Sequence, residues 1–121
     1  IALNSGKGTF TLQPLPTEAQ FAPVYAALPG DFDGDGILDL VLGGNLYGAT
    51  PMLGRYDASY GLVLRGKGQG SFQPVPADEM GLTIEGQIRD MKFLRRAGGE
   101  RLVAVARNNA HLMLVKPSRL R

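Results

Sequence analysis

Short apolar and β-branched runs, separated by clusters of Gly, Pro, Asn and Asp, make up most of the chain. Such runs are typical of β-strands, because β-branched residues suit a pleated, half-buried surface and the separating residues favour turns. Apolar residues are not sustained at the helical spacing i, i+3, i+4 and i+7, and the best stretch, residues 16–27, is interrupted by Pro23. The pattern therefore predicts an all-β fold.

The predicted strands fall into three groups of two, four and three. The first group is Ile1–Asn4 and Thr9–Gln13; the second is Val24–Leu28, Asp39–Gly43, Tyr60–Arg65 and Gly70–Val75; the third is Ile88–Leu94, Leu102–Ala106 and His111–Lys116. Turns are predicted at Gly34–Gly36 and Gly66–Gly68. We expect each group to form an antiparallel meander.

An internal repeat runs through these groups. Asn4–Phe10, followed by Gln13–Pro16, recurs about 60 residues later as Arg65–Phe72 followed by Gln73–Pro76. Repetition at this scale indicates stacked or radially arranged units, and four-stranded units arranged radially are β-propeller blades. We therefore predict a partial β-propeller, with one complete blade flanked by two partial ones. Residues 1–16 give the outer strands of a preceding blade, residues 17–76 the complete blade, and residues 77–121 a second blade without its outer strand.

The predicted blades are too few to close a ring, since known propellers need about four to eight. Open strand edges are ready templates for pairing with another chain. We expect them to be covered by the remaining blades of a longer chain or by strand exchange between copies of this one.

An acidic loop, Asp31–Asp39, lies between the first two strands of the complete blade. Its carboxylates stand at loop positions 1, 3, 5 and 9, and they converge only if a cation offsets their repulsion. A hard ion with six to eight oxygen ligands at about 2.3–2.6 Å suits calcium. The predicted calcium ligands are the side chains of Asp31, Asp33, Asp35 and Asp39 and the carbonyl of Ile37. An EF-hand is excluded because Leu42 stands where its bidentate Glu belongs; an Asx–Gly turn without metal is the alternative.

This loop, with the sequence Asp-x-Asp-Gly-Asp-Gly-x-x-Asp-Leu, is accompanied at blade spacing by the turn Gly-x-Gly-x-Phe. Together they resemble the FG-GAP or VCBS repeats of integrin α-chain propellers and of many secreted bacterial proteins. The resemblance implies calcium-binding propeller blades with a binding role in a secreted, periplasmic or cell-surface protein. The second blade departs from the pattern, because Lys92–Arg101 is basic and apolar where an acidic loop is expected. We expect ordinary turn contacts, and no calcium, at that loop.

Composition removes several classes of function. The chain has no Cys and one His, His111, which excludes disulfides, thiolate nucleophiles, Cys-ligated zinc and most Ser-His-Asp schemes. Apolar runs are too short to span a bilayer. Residues 1–86 carry four basic and nine acidic side chains, whereas residues 87–121 carry nine basic and two acidic ones. Because no aromatics are interleaved with the basic residues, solvated strand faces or an acidic neighbour are favoured over nucleic acid.

A long connection, Met52–Tyr60, carries a polar and aromatic set suited to ligand contact: Arg55, Tyr56, Asp57 and Tyr60. A loop braced by an Arg55–Asp57 pair is the alternative interpretation. The sequence thus predicts a calcium-stabilised binding or assembly module without catalytic chemistry, which takes a protein or glycan ligand. Part of a secreted polysaccharide-acting enzyme is the second hypothesis; glycoside hydrolysis needs two carboxyl groups across a cleft, and the sequence marks no such pair.

Overall fold

Antiparallel strands dominate the structure, a computed structural model that describes residues 1–50 and 52–118. Its strands are β1 (Ala2–Asn4), β2 (Phe10–Leu12), β3 (Val24–Gly30), β4 (Asp39–Gly44), β5 (Leu62–Gly68), β6 (Ser71–Val75), β7 (Ile88–Arg95), β8 (Arg101–Arg107) and β9 (Met113–Val115), and a short 3₁₀ helix covers Thr17–Gln20. Strand takes up 44% and helix 3% of the structure, which confirms the all-β class. None of the described helices has the length and apolar character needed to cross a membrane.

The strands form three separate sheets, in the orders β1-β2, β3-β4-β5-β6 and β7-β8-β9. Every pairing is antiparallel and joins consecutive strands, so each sheet is a hairpin or a meander. The predicted grouping into two, four and three strands is confirmed. No sheet closes on itself within the described part of the chain. Residues 119–121, at the end of the predicted second blade, and residue 51, within the complete one, lie outside the described residues.

The turn predicted at Gly66–Gly68 is wrong. Gly66 pairs with Phe72 and Gly68 pairs with Ser71, so both glycines belong to β5, with a bulge between them. The chain reverses at Gln69 and Gly70, whose φ angles are 52° and 74°. An extra residue in a bulge lets the strand continue through a Gly-rich segment, and composition alone does not distinguish such a bulge from a turn.

The main core lies between the four-stranded and three-stranded sheets. Its buried side chains come from both sheets and from the connection between them: Ala26, Leu28, Phe32, Val41, Val63, Val75, Met80, Leu82, Ile84, Ile88, Met91, Val103 and Val105. Fully burying a Val, Leu, Ile, Phe or Met side chain contributes about 1.5–3 kcal/mol to stability. The sheets approach closely where Gly43 meets Ile88, since a Cβ atom on Gly43 would lie 2.7 Å from the Ile88 side chain.

A second, smaller cluster covers the opposite face of the four-stranded sheet. It buries Ala19, Leu42 and Leu64, with Leu15, Leu40, Leu62 and Phe72 partly buried around them. The 3₁₀ helix places Ala19 on this face. A concave apolar groove of about 560 Å³ runs beside the cluster, lined in part by Ile1, Ala27 and Leu40. This face of the sheet is therefore less completely covered than the face that meets the three-stranded sheet.

Candidate functional site

The acidic loop connects the end of β3 to the start of β4. Gly34 and Gly36 have φ angles of 83° and 84°, a left-handed conformation that glycine adopts without the steric cost of a side chain. The two carboxylate oxygens of Asp31 accept the amides of Gly34, at 2.6 Å, and of Gly36, at 3.0 Å. The turn glycines thus wrap the loop around the Asp31 side chain.

Asp39 anchors the other end of the loop and is 1% exposed. One of its oxygens accepts the Phe32 amide at 2.8 Å, and the other accepts the Gly66 amide of β5 at 2.9 Å. Phe32 itself is fully buried, and its ring lies 5.4 Å from the ring of Phe93 on β7. A single carboxylate therefore ties the loop to the neighbouring strand, and the Phe32 side chain ties it to the second sheet.

Three carboxylates converge inside the loop. Asp31, Asp33 and Asp39 each offer one oxygen, and these oxygens all lie within 4.8 Å of one another. Oxygens that share one calcium ion at about 2.3–2.6 Å are at most about 5 Å apart, so the spacing fits a common ion. The hydrogen bonds to Asp31 and Asp39 use one lone pair of each oxygen, and a second remains for a cation. The donor set is all carboxylate oxygen, which suits a hard divalent ion.

Arg65 of β5 brings a positive charge to this cluster. Its Nε lies 2.8 Å from Asp33 Oδ2, yet this Nε is shielded from solvent and makes no hydrogen bond, because its N–H is not aligned with an acceptor. The contact is therefore ionic rather than a directed hydrogen bond. One guanidinium beside three carboxylates leaves the cluster with a net negative charge.

Hydrogen bonding also sets the protonation of the loop. The amides of Gly34 and then Gly36 hold the pKa of Asp31 below its ordinary value of 3.8, because they stabilise the charged carboxylate. Asp31 accordingly stays ionised in mildly acidic solution and remains able to bind a cation there.

Two predicted ligands, Asp35 and Ile37, lie outside the converging group. The Asp35 carboxylate accepts the amide of Ile37 at 2.8 Å, and both residues are exposed. This bond shapes the tip of the loop. Ligation by the Asp35 side chain and by the Ile37 carbonyl stays a prediction.

The corresponding turn of the second sheet joins β7 to β8. Its backbone is closed by bonds from the Arg96 amide to the Glu100 carbonyl and from the Gly99 amide to the Arg96 carbonyl, both at 2.8 Å. The Glu100 carboxylate pairs with Lys116 at 2.6 Å and with Arg96 at 3.4 Å. Lys116, and to a lesser degree Arg96, lowers the pKa of Glu100. Ordinary turn contacts and ion pairs thus hold this loop.

The residues predicted to contact a ligand lie at the opposite end of the four-stranded sheet. Asp57 and Tyr60 line a polar pocket of about 160 Å³, which also includes Asn45, Tyr47, Ser59, Glu85 and Gly86. Arg55 lies over the Tyr47 ring, 5.0 Å from its centroid, and no Arg55–Asp57 ion pair occurs within residues 1–50 and 52–118. Tyr56 forms an isolated bridge with Leu46. The structure therefore brings Asp57 and Tyr60 together and gives Arg55 and Tyr56 neighbouring places.

A buried polar junction beside this pocket was not predicted. Asn45, with a φ of 79°, donates to the carbonyls of Ser59 at 2.6 Å and of Gly86 at 3.1 Å. Gln87 accepts the Tyr47 amide and an Arg89 guanidinium N–H, both at 3.0 Å. The sole sequence signal is an Asn after two glycines, since Asn tolerates left-handed backbone. Ser59 lies 14 positions from Asn45, Gly86 lies 41 positions from Asn45, and Gln87 lies 40 positions from Tyr47, so no local signature marks these partners.

Comparisons of the chain with family models, curated proteins and solved structures give no significant match. The function is therefore inferred from the acidic loop, the polar pocket and the arrangement of the sheets.

Proposed function

We propose that the loop Asp31–Asp39 binds one calcium ion and that the protein is a calcium-stabilised β-module of the FG-GAP or VCBS type, with a binding or assembly role outside the cytoplasm. The observation that carries the proposal is the convergence of the Asp31, Asp33 and Asp39 carboxylates within 4.8 Å. Calcium would supply the positive charge that this group lacks. Asp39 is nearly fully buried, and a buried charge is costly unless it is paired or coordinates a metal.

The loop's own contacts explain how ion binding would order the module. Asp39 already holds the Phe32 and Gly66 amides, and Asp31 holds the turn glycines. Fixing Asp31, Asp33 and Asp39 to one point would couple the β3–β4 connection to β5 through Gly66. It would also couple the connection to the three-stranded sheet through Phe32. The proposed role of calcium is therefore structural.

The orientation of the sheets supports a propeller-like arrangement. β3 and β7 each carry a bulge near their start, between Val24 and Ala26 and between Ile88 and Asp90. When β3 is aligned with β7 at these bulges, the cross-strand pair Ala27–Leu42 of the four-stranded sheet corresponds to the cross-strand pair Met91–Val105 of the three-stranded sheet.

The corresponding residues Leu42 and Val105 point in the same direction relative to the two packed sheets. Leu42 packs on the outer face of the four-stranded sheet, whereas Val105 faces that sheet across the main core. Equivalent faces thus point in one direction, as in successive propeller blades. In a two-sheet sandwich related by a twofold axis, equivalent faces would meet each other.

A melting experiment with and without calcium tests the calcium proposal. We expect the unfolding midpoint to rise when calcium is added to chelator-treated protein. At a free calcium concentration of a hundred times the dissociation constant, the free energy of unfolding should increase by about 2.7 kcal/mol. Asp33→Asn removes one of the three converging carboxylates and should abolish most of this rise. Asp57→Asn is the matched control, because it also removes one carboxylate charge but does so at the polar pocket. Its unfolding midpoint should rise with calcium as much as that of the wild type. An unchanged midpoint in the wild type would mean that the loop is a turn without metal.

Ligand binding by this module would use the polar pocket. Tyr60 is 58% exposed and lies with Asp57 in the lining, so an aromatic surface and a carboxylate are available to a glycan or protein ligand. A glycan array with the wild type and with a Tyr60→Ala variant tests this role. Equal binding by the two proteins would exclude the pocket.

One observation favours the second hypothesis, a polysaccharide-acting enzyme. Asp57 and Glu85 are far apart in sequence yet line the same pocket, and glycoside hydrolysis uses two carboxyl groups. The enzyme hypothesis predicts polysaccharide cleavage that is lost in Asp57→Ala and in Glu85→Ala while both variants stay folded. Absence of turnover in the wild type on a panel of polysaccharides would reject it.

Assembly is proposed to cover the open strand edges of the described sheets. The remaining blades of a longer chain, or a second copy, would supply the partner. Light scattering of the purified chain distinguishes them: a monomer across the concentration range argues against self-association, and a concentration-dependent dimer argues for it.

A further inference from the structure

Arg65 occupies an unusual position for a strand arginine. It stands on β5 opposite Gln73 of β6, directly before Gly66, whose amide holds Asp39. Its side chain is 28% exposed and that of Asp33 is 10% exposed, and the two meet at 2.8 Å. β5 therefore supplies both a backbone donor to one carboxylate of the loop and a full positive charge to another.

We propose that Arg65 is an internal counter-cation of the acidic loop: it holds the loop together when no metal is bound and lowers the loop's affinity for a divalent ion. This inference rests on the proposed calcium function. It assigns to a residue outside the acidic motif the role of setting the calcium concentration at which the loop fills.

The first half of the proposal follows from charge balance in the metal-free loop. Three carboxylates within 4.8 Å repel one another, and like charges in a partly buried site favour opening of the loop. The guanidinium offsets part of this repulsion through Asp33. Removing one partner of a shielded ion pair leaves the other charge uncompensated, which is destabilising.

The second half follows from the sign of the charge. A divalent ion held by Asp33 would lie close to the Arg65 guanidinium, and the two like charges repel. Because the Nε N–H makes no aligned hydrogen bond, releasing Asp33 from Arg65 breaks an ionic contact without losing a directed bond. Arg65 and the ion thus compete for the same carboxylate, and neutralising Arg65 should strengthen ion binding.

The test compares Arg65→Met with Lys67→Met. Both variants remove one positive charge from β5, but Lys67 is exposed and pairs with no carboxylate of the loop, so it controls for net charge. We expect calcium titration to give a dissociation constant about tenfold lower for Arg65→Met than for the wild type, a change typical of removing one charge from a partly shielded site. Lys67→Met should stay within about twofold of the wild type, because exposed charges are screened.

Melting in chelator tests the metal-free role of Arg65. There we expect Arg65→Met to unfold at a lower temperature than the wild type, and a double variant with Asp33→Asn to recover part of the loss. Saturating calcium should reduce or reverse the difference in unfolding temperature between Arg65→Met and the wild type. If Arg65→Met is too unstable to purify, Arg65→Gln, which removes the charge and keeps a polar end, takes its place in both experiments.

The outcomes separate the two proposals. Calcium binding by the wild type with equal or weaker binding by Arg65→Met overturns the role of Arg65 and leaves the calcium function standing. Binding by Arg65→Met alone supports competition by Arg65 but overturns the proposal that the wild-type loop binds calcium. If neither protein binds calcium, both proposals fail.

Discussion

At the scale of single residues, Asp39 carries more of the loop than its place at the end of the acidic motif suggests. It is the first residue of β4, it is buried, and both of its oxygens accept backbone amides. The Asp spacing predicted a metal loop from the sequence, and the structure gathers three of the four aspartates. The dual anchoring role was not predictable, because the Gly66 donor lies on a strand 27 positions away.

Replacing Asp39 with Asn should destabilise the metal-free protein. One amide oxygen can still accept a bond, but the NH₂ group faces a backbone donor where Asp39 offered an acceptor. We expect a loss of roughly 1–3 kcal/mol in the free energy of unfolding, the usual cost of leaving a buried polar group unsatisfied. Urea denaturation in the presence of chelator measures it.

Asp35→Asn is the matched control for Asp39→Asn. Asp35 belongs to the same loop, but it is exposed and its carboxylate bonds only within the loop tip. Its replacement should change stability by less than about 0.5 kcal/mol. Equal losses in the two variants would contradict the assigned role of Asp39.

The lowered pKa of Asp31 predicts an acid-sensitive contribution to stability. A carboxyl group whose folded pKa is below its unfolded value stabilises the protein at pH above the unfolded value. That contribution is lost as the pH falls through the folded pKa, so the affected range lies below about pH 4. In chelator, Asp31→Asn should show a shallower decline of stability than the wild type over this range. Parallel pH profiles would contradict the prediction.

At the scale of secondary-structure elements, the strands were predictable and their exact connections less so. Apolar and β-branched runs predicted the number and grouping of strands, because such residues suit a pleated, half-buried surface and the Gly, Pro, Asn and Asp clusters between them favour turns. The prediction of a turn at Gly66–Gly68 was wrong, because bulges and turns favour the same residue types. Close contacts between sheets, such as that of Gly43 with Ile88, depend on tertiary packing and could not be predicted from the local sequence pattern.

The contact between Gly43 and Ile88 gives a prediction about sheet packing. In Gly43→Ala the new methyl group would lie 2.7–2.8 Å from the Ile88 side chain, so either this side chain or the sheets must shift. We expect a loss of about 1–3 kcal/mol, as for other overpacked cores. Chemical denaturation measures this loss.

Two further variants check the cause of this loss. Gly98→Ala is the control, because its Cβ meets nothing within 4 Å and should be tolerated. Shortening the partner in Gly43→Ala/Ile88→Val should cost less than the sum of the single changes. Additive losses would show that the two residues do not compete for the same space.

At the scale of the whole molecule, the four-stranded and three-stranded sheets share one core. Side chains of the four-stranded and three-stranded sheets interdigitate in it, and Phe32 extends it to the acidic loop. The sequence predicted units that cannot bury their faces alone, and the shared core agrees with this. The direction in which the sheets stack could not be read from the sequence, since it depends on which face of each strand meets its neighbour.

The shared core predicts a single cooperative unfolding transition. All four tyrosines lie between residues 25 and 60, so tyrosine fluorescence reports mainly on the four-stranded sheet and its long connection. Far-UV circular dichroism reports on the strands of every sheet. We expect the two probes to give coincident denaturation curves. Separate midpoints would mean that the sheets unfold independently.

The most direct test of the central claim is calcium stoichiometry by equilibrium dialysis of chelator-treated protein against calcium, followed by elemental analysis. We expect one bound ion per chain for the wild type and none for an Asp31→Asn/Asp33→Asn double variant that remains folded. A wild type without bound ion at millimolar calcium, or a double variant that binds as well as the wild type, would show that these carboxylates do not hold calcium.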